Sequence, residues 1–455
     1  MKKTETPYIS TTNACKLCKP LGACVAFRGI EGAIPFLHGS QGCATYMRRY
    51  IISHFREPMD IASSSLGEKQ AVYGGEANLK QGLLNVMNKY NPRMIGVATT
   101  CLTETIGDDV PGIMRNFRKE AVACSGEGLP HLVEVSTPSY SGTHMEGFHS
   151  AVRSVVDQLV RNREPWDGVS LFPGFVSPAD VRHLKEILHD FGLPAVVLPD
   201  ISESLDGPAL EDYEKIPAGG TPLNQIENMG GSRASLELGR TLQGWESAGA
   251  LLERKFGVKR HLLGLPVGLR ETDRFFALLE EITGKETPRS HALERGRLID
   301  AYVDAHKYLF GKRAVIFGEE DLVVGLTAFL AEVGIQPLLC ATGGKSGQLE
   351  KAVTAVTSDI LEDAPAVKEG VDFHEMEEEI QTLSPDILVG HSKGYQLAKR
   401  FKIPLVRVGF PIHDRFGGQR ILHLGYRGAQ VLLDEMVNQF LERKQAGSSI
   451  GYGYL

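Results

Sequence analysis

The chain has 455 residues, which at roughly 150 residues per domain predicts about three domains. Its 49 Lys and Arg against 56 Asp and Glu leave a formal charge of −7, so no global basic field of the kind that binds nucleic acid is present. Apolar residues make up 42% but never approach the roughly 18 unbroken positions of a membrane span, and Met1–Thr6 has no apolar stretch behind its lysines, so the sequence predicts a cytoplasmic protein without signal peptide or membrane anchor.

Short aliphatic runs alternate with longer amphipathic stretches along the chain. Residues 78–88 predict a helical stretch, 94–98 and 131–135 predict buried strands, and a helix follows near 143–162. A new unit begins with the strand at 169–172. In it Ser177-Pro178 opens a helix, with Ser as N-cap and Pro in the first position, and a strand follows at 195–198. Residues 207–231, rich in Pro and Gly, predict loops. After Pro288 come a long helix and then strand 313–318, helix 319–333, strand 335–340, helix 346–358 and strands 386–389 and 404–408. Strands alternating with helices of this length build parallel sheets from βαβ units. The expectation is an α/β chain of three doubly wound, Rossmann-like domains with parallel sheets, spanning 1–165, 166–290 and 291–455.

Two nucleotide motifs are absent. Gly343-Gly344-Lys345-Ser346 resembles the end of a phosphate-binding loop, but Leu339 stands where the leading glycine is required, so a strand-to-helix turn is expected there. No G-x-G-x-x-G follows the first strand, which leaves a nicotinamide dinucleotide unsupported.

Six of the seven cysteines (15, 18, 24, 43, 101, 124 and 340) lie in the first 124 residues. A lone cysteine is usually a buried thiol, but such clustering favours metal or redox chemistry over a disulfide framework. Cys15 and Cys18 form a C-x-x-C without the second pair of a zinc ribbon. Cys18 precedes Pro20-Leu21-Gly22, Cys43 closes His38-Gly39-Ser40-Gln41-Gly42, and Cys101 ends a predicted strand. The carboxyl ends of parallel strands are where α/β proteins hold ligands. The glycines before Cys43 leave backbone N–H groups free to face an anion, and an iron–sulfur cluster wants both thiolates and such donors. Three cysteines leave a four-iron cluster one ligand short, to be supplied by Cys15, a non-cysteine ligand or a second chain. The last option predicts a cluster at a subunit interface. His38, His54, His391 and His413 read as hydrogen-bonded structural residues, Asp108 and Asp109 as helix caps, and Cys340 as core.

The ordered motifs Cys18-Lys19-Pro20-Leu21-Gly22, His38–Cys43, His54-Phe55-Arg56-Glu57-Pro58, Thr99-Thr100-Cys101, Ile106-Gly107-Asp108-Asp109, Gly390-His391-Ser392-Lys393-Gly394 and Arg407–Pro411 resemble the β-type subunits of nitrogenase component 1 over nearly the whole chain. The resemblance implies that Cys18, Cys43 and Cys101 bind half of an iron–sulfur cluster shared with an α-like partner in an α2β2 heterotetramer. The cluster would be P-cluster-like with eight irons (8Fe-7S) or a four-iron (4Fe-4S) centre. It implies that Ser139, in Thr137-Pro138-Ser139, adds an oxygen ligand to the oxidised cluster. It also puts Tyr73, in Ala71-Val72-Tyr73-Gly74-Gly75, near the docking surface of an ATP-driven reductase. The resemblance implies that the active-site cofactor sits in the partner, and this chain offers no Cys in 125–339. The overall likeness leans to the β-like subunit of the scaffold that assembles the iron–molybdenum cofactor. The complete three-cysteine set suits instead an electron-transfer subunit of a catalytic complex, nitrogenase itself or a relative such as methylthio-alkane reductase.

Overall fold

The computed structural model describes residues 13–125 and 128–449; Met1–Thr6 and the side chain of Cys124 lie outside the described set. Thirteen strands build three sheets. The first holds β1 (Ala33–His38), β2 (Ala62–Ser63), β3 (Met94–Thr99) and β4 (His131–Val135), in the order β2-β1-β3-β4. The second holds β5 (Trp166–Phe172), β6 (Ala195–Val197), β7 (Ser232–Leu238) and β8 (Arg260–Leu263), in the order β6-β5-β7-β8. The third holds β9 (Arg313–Gly318), β10 (Gln336–Thr342), β11 (Ala366–Glu369), β12 (Ile387–Gly390) and β13 (Leu405–Arg407), in the order β11-β10-β9-β12-β13. Every strand pair is parallel, as the βα alternation predicts.

Alternation within strands explains why helices cover both faces of the first sheet. Ile34 and Phe36 of β1, with Ile95 and Val97 of β3, join Leu79, Leu83, Met114 and Phe117 of the helices Glu76–Tyr90 and Val110–Ser125. Ala33, Leu37, Met94 and Ala98 point the other way, into a core shared with the helices Lys19–Arg28 and His144–Leu159. That second core continues through the other two sheets and the last helix, Gly425–Ala446, so the three units share one apolar interior.

The local signals act as expected at several helix ends. Ser177 Oγ accepts from Asp180 N at 3.0 Å, with Pro178 in the first turn of Pro178–Asp190. Thr143 and Glu146 form a capping box at the start of His144–Leu159. Asp109 caps Val110–Ser125 by accepting from Gly112 N at 3.0 Å. Asp108 differs from the expectation: its carboxylate accepts from Gly75 N at 3.1 Å and lies 3.1 Å from His38 Nε2. It therefore ties the 71–75 turn to the end of β1 instead of capping its own helix.

The sequence reading passes over five strands: β1, β2, β7, β8 and β11. β1 contains Pro35, which argues against a central strand, but β2 is two residues long and gives Pro35 no register partner. β7 carries Glu237, buried, paired with Arg260 and accepting a hydrogen bond from Ser247, so its polarity disguises a central strand. Residues 207–231 are not loop throughout, since they hold the short helix Leu223–Glu227. In the Gly343–Ser346 turn, the amides a phosphate would need are occupied by the chain's own carboxylates. Ser346 N donates to Glu320 at 3.3 Å and Gly347 N to Glu369 at 3.1 Å.

Candidate metal centre

Neighbouring strands β1, β3 and β4 end at one edge of the first sheet, and each delivers one candidate ligand. After β1, Ser40 is the N-cap residue of the helix Gln41–Phe55, whose third residue is Cys43. After β3, Thr100 is the N-cap residue of the helix Cys101–Ile106, without a capping bond from its hydroxyl. After β4, Thr137-Pro138 leads into the 3-10 turn Ser139–Ser141. The first two loops nest closely, since a Cβ on Gly39 would stand 2.1 Å from Thr100 Oγ1. Cys18 arrives separately, as N-cap of Lys19–Arg28. That helix lies against His144–Leu159 with glycine at both points of contact. A Cβ on Gly22 would fall 1.7 Å from the carbonyl oxygen of His144, and one on Gly147 would fall 1.8 Å from that of Lys19.

Ser139 joins the loops. Its Oγ accepts from Lys19 N at 3.3 Å, and its own N–H donates to Cys101 Sγ at 3.2 Å. Ser40 Oγ donates to Cys43 Sγ at 3.5 Å, and Lys19 Nζ donates to Ser141 Oγ at 3.0 Å. Burial pushes the Cys18 thiol above its ordinary pKa. A hydrogen bond from Ser139 opposes the shift, and the charges of Cys101 and Cys43 add to it. The last effect means that the three sulfurs share one electrostatic neighbourhood. Such thiols need a bound cation to be held together as thiolates.

All three are free thiols, with Cys101 exposed and Cys18 and Cys43 half-buried. The flanking Gln41 and Gly42 are exposed and Tyr46 is 44% exposed, so the site opens outward. Among the described residues, no group of three or more His, Cys, Asp or Glu closes on a single metal ion.

The remaining described cysteines are buried. Burial pushes the thiols of Cys15 and Cys340 up to about 12 and raises that of Cys24 further. Cys340 Sγ lies 3.1 Å from Thr327 Oγ1 in the core. Of the four histidines, His38, His54 and His391 are buried, and desolvation lowers the pKa of each; His413 is exposed. Tyr73 is 81% exposed at the end of the helix Glu68–Tyr73, beside Val72 at 76%. Two site residues were not legible in the sequence. Lys19 anchors Ser139 and Ser141, and Lys393 reaches the loop before Cys18 from the third sheet. The motif Gly390–Gly394 was the only signal for the latter.

A parallel α/β chain of three sheets with free thiols at the strand ends defines the class. The sequence profile described as nitrogenase component 1 type oxidoreductase matches residues 18–441, and the chain belongs to that family. Within it the chain is of the beta-chain type. It is 36% identical over 432 residues to the nitrogenase molybdenum-iron protein beta chain of Clostridium pasteurianum, covering 95% of this chain and 93% of that one. It is 36% identical to the corresponding chain of Azotobacter vinelandii, covering 95% and 84%. It is 35% identical to the nitrogenase vanadium-iron protein beta chain of Trichormus variabilis, covering 92% of each. A chain of the solved structure of nitrogenase Cp1 at pH 6.5 superposes with a TM-score of 0.94 and 34% identity, covering 100% of this chain and 98% of that one.

Proposed function

We propose that this chain holds half of an interface iron–sulfur cluster through Cys18, Cys43 and Cys101, and relays electrons to a cofactor carried by an α-like partner in an α2β2 heterotetramer. The single observation that carries this reading is the set of three free thiols that open to the outside, Cys101 and Cys18 beside Ser139 and Cys43 near enough for its charge to act on Cys18. A cluster bound there supplies one-electron redox chemistry. The residues of this chain do the rest. The three sulfurs bind, and the Ser139 N–H steadies the sulfur of Cys101. Ser139, whose side chain hydrogen-bonds Cys18, would be the residue able to offer the cluster an oxygen ligand.

The exposed Tyr73 and Val72 form the docking face for an ATP-driven reductase. Asp108 connects that face to the cluster loop, since it holds Gly75 on one side and His38 of β1 on the other. The domain spans 1–165, 166–290 and 291–455 each carry one of the three sheets in this reading. The names of the three relatives given above, each a nitrogenase beta chain, and the complete thiol set support a redox subunit of a catalytic complex; the cytoplasm is the compartment proposed for it.

Anaerobic co-purification with the α-like chain, iron counting and electron paramagnetic resonance test the proposal. About eight irons per αβ pair beyond the cofactor are expected for the redox subunit. A four-iron interface centre favours the cofactor-assembly scaffold, and absence of interface iron overturns both.

A further inference from the structure

We propose that Lys393 is a positioning residue for the cluster loop: from the third sheet it clamps the backbone on both sides of Cys15 and so fixes where Cys18 stands. This rests on the cluster reading above. Lys393 lies in the turn Ser392–Gly394, directly after β12. Its ammonium donates to the carbonyl oxygen of Ala14 and, at 3.3 Å, to that of Lys16.

The clamped segment is a strap laid across the carboxyl end of the third sheet. Cys15 N donates to Val371 O at 3.2 Å, and Phe373 N donates to Asn13 O at 3.3 Å. Cys15 Sγ lies 3.5 Å from His391 Nε2. A Cβ on Gly343 would stand 2.3 Å from the carbonyl oxygen of Cys15, so that turn accepts the strap only as glycine. Beyond the strap, Leu17 N donates to His144 Nδ1 at 3.3 Å, and the next residue is Cys18.

A doubly wound sheet ordinarily offers its carboxyl edge to a ligand. Here the strap covers part of that edge, and a lysine bonding the carbonyls on either side of Cys15 is the contact that carries charge. Lys393 is half-buried, and its charge is felt at Cys18 and Cys15. It thus has two separable effects. It holds the loop that ends in a ligand, and it places a fixed positive charge behind the cluster, which favours the reduced, more negative state.

The test uses the complete complex with its α-like partner, purified anaerobically, in wild-type, K393M, K393R and K399M forms. The last alters an exposed lysine on the neighbouring helix Tyr395–Phe401 and serves as control. Iron release to a ferrous chelator is followed spectroscopically, and the reduced fraction of the cluster is read at a potential poised at the wild-type midpoint. K393M is expected to lose interface iron about tenfold faster and to show a smaller reduced fraction. K393R is expected to restore most of both, and K399M to match wild type. If K393M does not assemble, K393Q, whose shorter uncharged side chain neither reaches both carbonyls nor carries the charge, replaces it under the same expectations. A K393M or K393Q complex with a lowered melting temperature but wild-type release and reduced fraction overturns the proposal. A wild-type complex without interface iron overturns the cluster reading and this inference together, whereas unchanged variants of an iron-bearing complex overturn this inference alone.

Discussion

The N–H of Ser139 donates to Cys101 Sγ at 3.2 Å, across 38 residues of sequence. The same residue's Oγ receives the N–H of Lys19, the residue after Cys18. One serine therefore touches the supports of two of the three candidate ligands. Ser139→Ala keeps the amide contact and deletes only the hydroxyl. The reduced cluster should assemble normally and the potential of the oxidised cluster should shift, because a hydroxyl binds iron well only after losing its proton. Potentiometry with electron paramagnetic resonance checks this, and an unchanged oxidised spectrum would make Ser139 a structural hydroxyl.

Cys43→Ala should remove interface iron far more completely than Cys15→Ala. Cys43 is half-buried at the open edge, whereas Cys15 is 3% exposed and faces His391. Iron analysis of the two purified complexes decides it; equal loss would reject the ligand assignment.

Tyr73→Ala should slow electron delivery from the ATP-driven reductase while iron content and assembly stay intact, since Tyr73 is 81% exposed and removes no core when truncated. Reduction by dithionite, which needs no docking surface, should match wild type. Exposed aromatics at interfaces often dominate association energy, so a loss of about 2 kcal/mol in reductase affinity is the expected scale.

Gly22→Ala probes the packing that delivers Cys18. With its Cβ placed 1.7 Å from the carbonyl oxygen of His144, the two helices must separate, at a cost of about 1–3 kcal/mol. The expected result is a lower unfolding midpoint together with partial iron loss, although no ligand has been altered. Full iron retention at wild-type stability would show that the helix contact does not hold the site.

His54 supplies a pH dependence. It is buried, its Nδ1 accepts from Ile412 N at 2.9 Å, and desolvation depresses its pKa from 6.5 to about 3. The folded state keeps the imidazole neutral while the unfolded chain takes up a proton below pH 6.5. The stability is therefore complete above that pH and is lost as pH falls from 6.5 towards 3. The slope is about 1.4 kcal/mol per pH unit for this one group. His54→Asn, which keeps an acceptor for Ile412, should flatten the acid limb of the urea midpoint against pH by about one proton. An unaltered slope would show that His54 is not a source of the acid sensitivity.

Much of this protein is written in local sequence. The βα alternation determines parallel sheets, Ser177-Pro178 and Thr143–Glu146 determine helix starts, and Cys18, Cys43 and Cys101 fall at element ends, although the amides of Gly39 and Cys43 are taken by Ser64 Oγ and Ser40 O and do not stand free. Those signals are local because hydrogen bonding within a turn and side-chain alternation need only neighbouring residues. Tertiary structure decided what depends on partners far away. Pro35 and Glu237 hide β1 and β7 until a short neighbouring strand and Arg260 make them tolerable. Asp108 reads as a cap until His38 and Gly75 claim its carboxylate. Cys15 and Cys18 share one motif, yet folding buries the first against His391 and leaves the second at the open edge. Around them lie a bond from Lys393 to the carbonyl of Lys16, 377 residues away, and a helix contact in which Gly22 faces the carbonyl of His144 and Gly147 that of Lys19. Neither has a local pattern, because each exists only once the chain has brought its distant ends together.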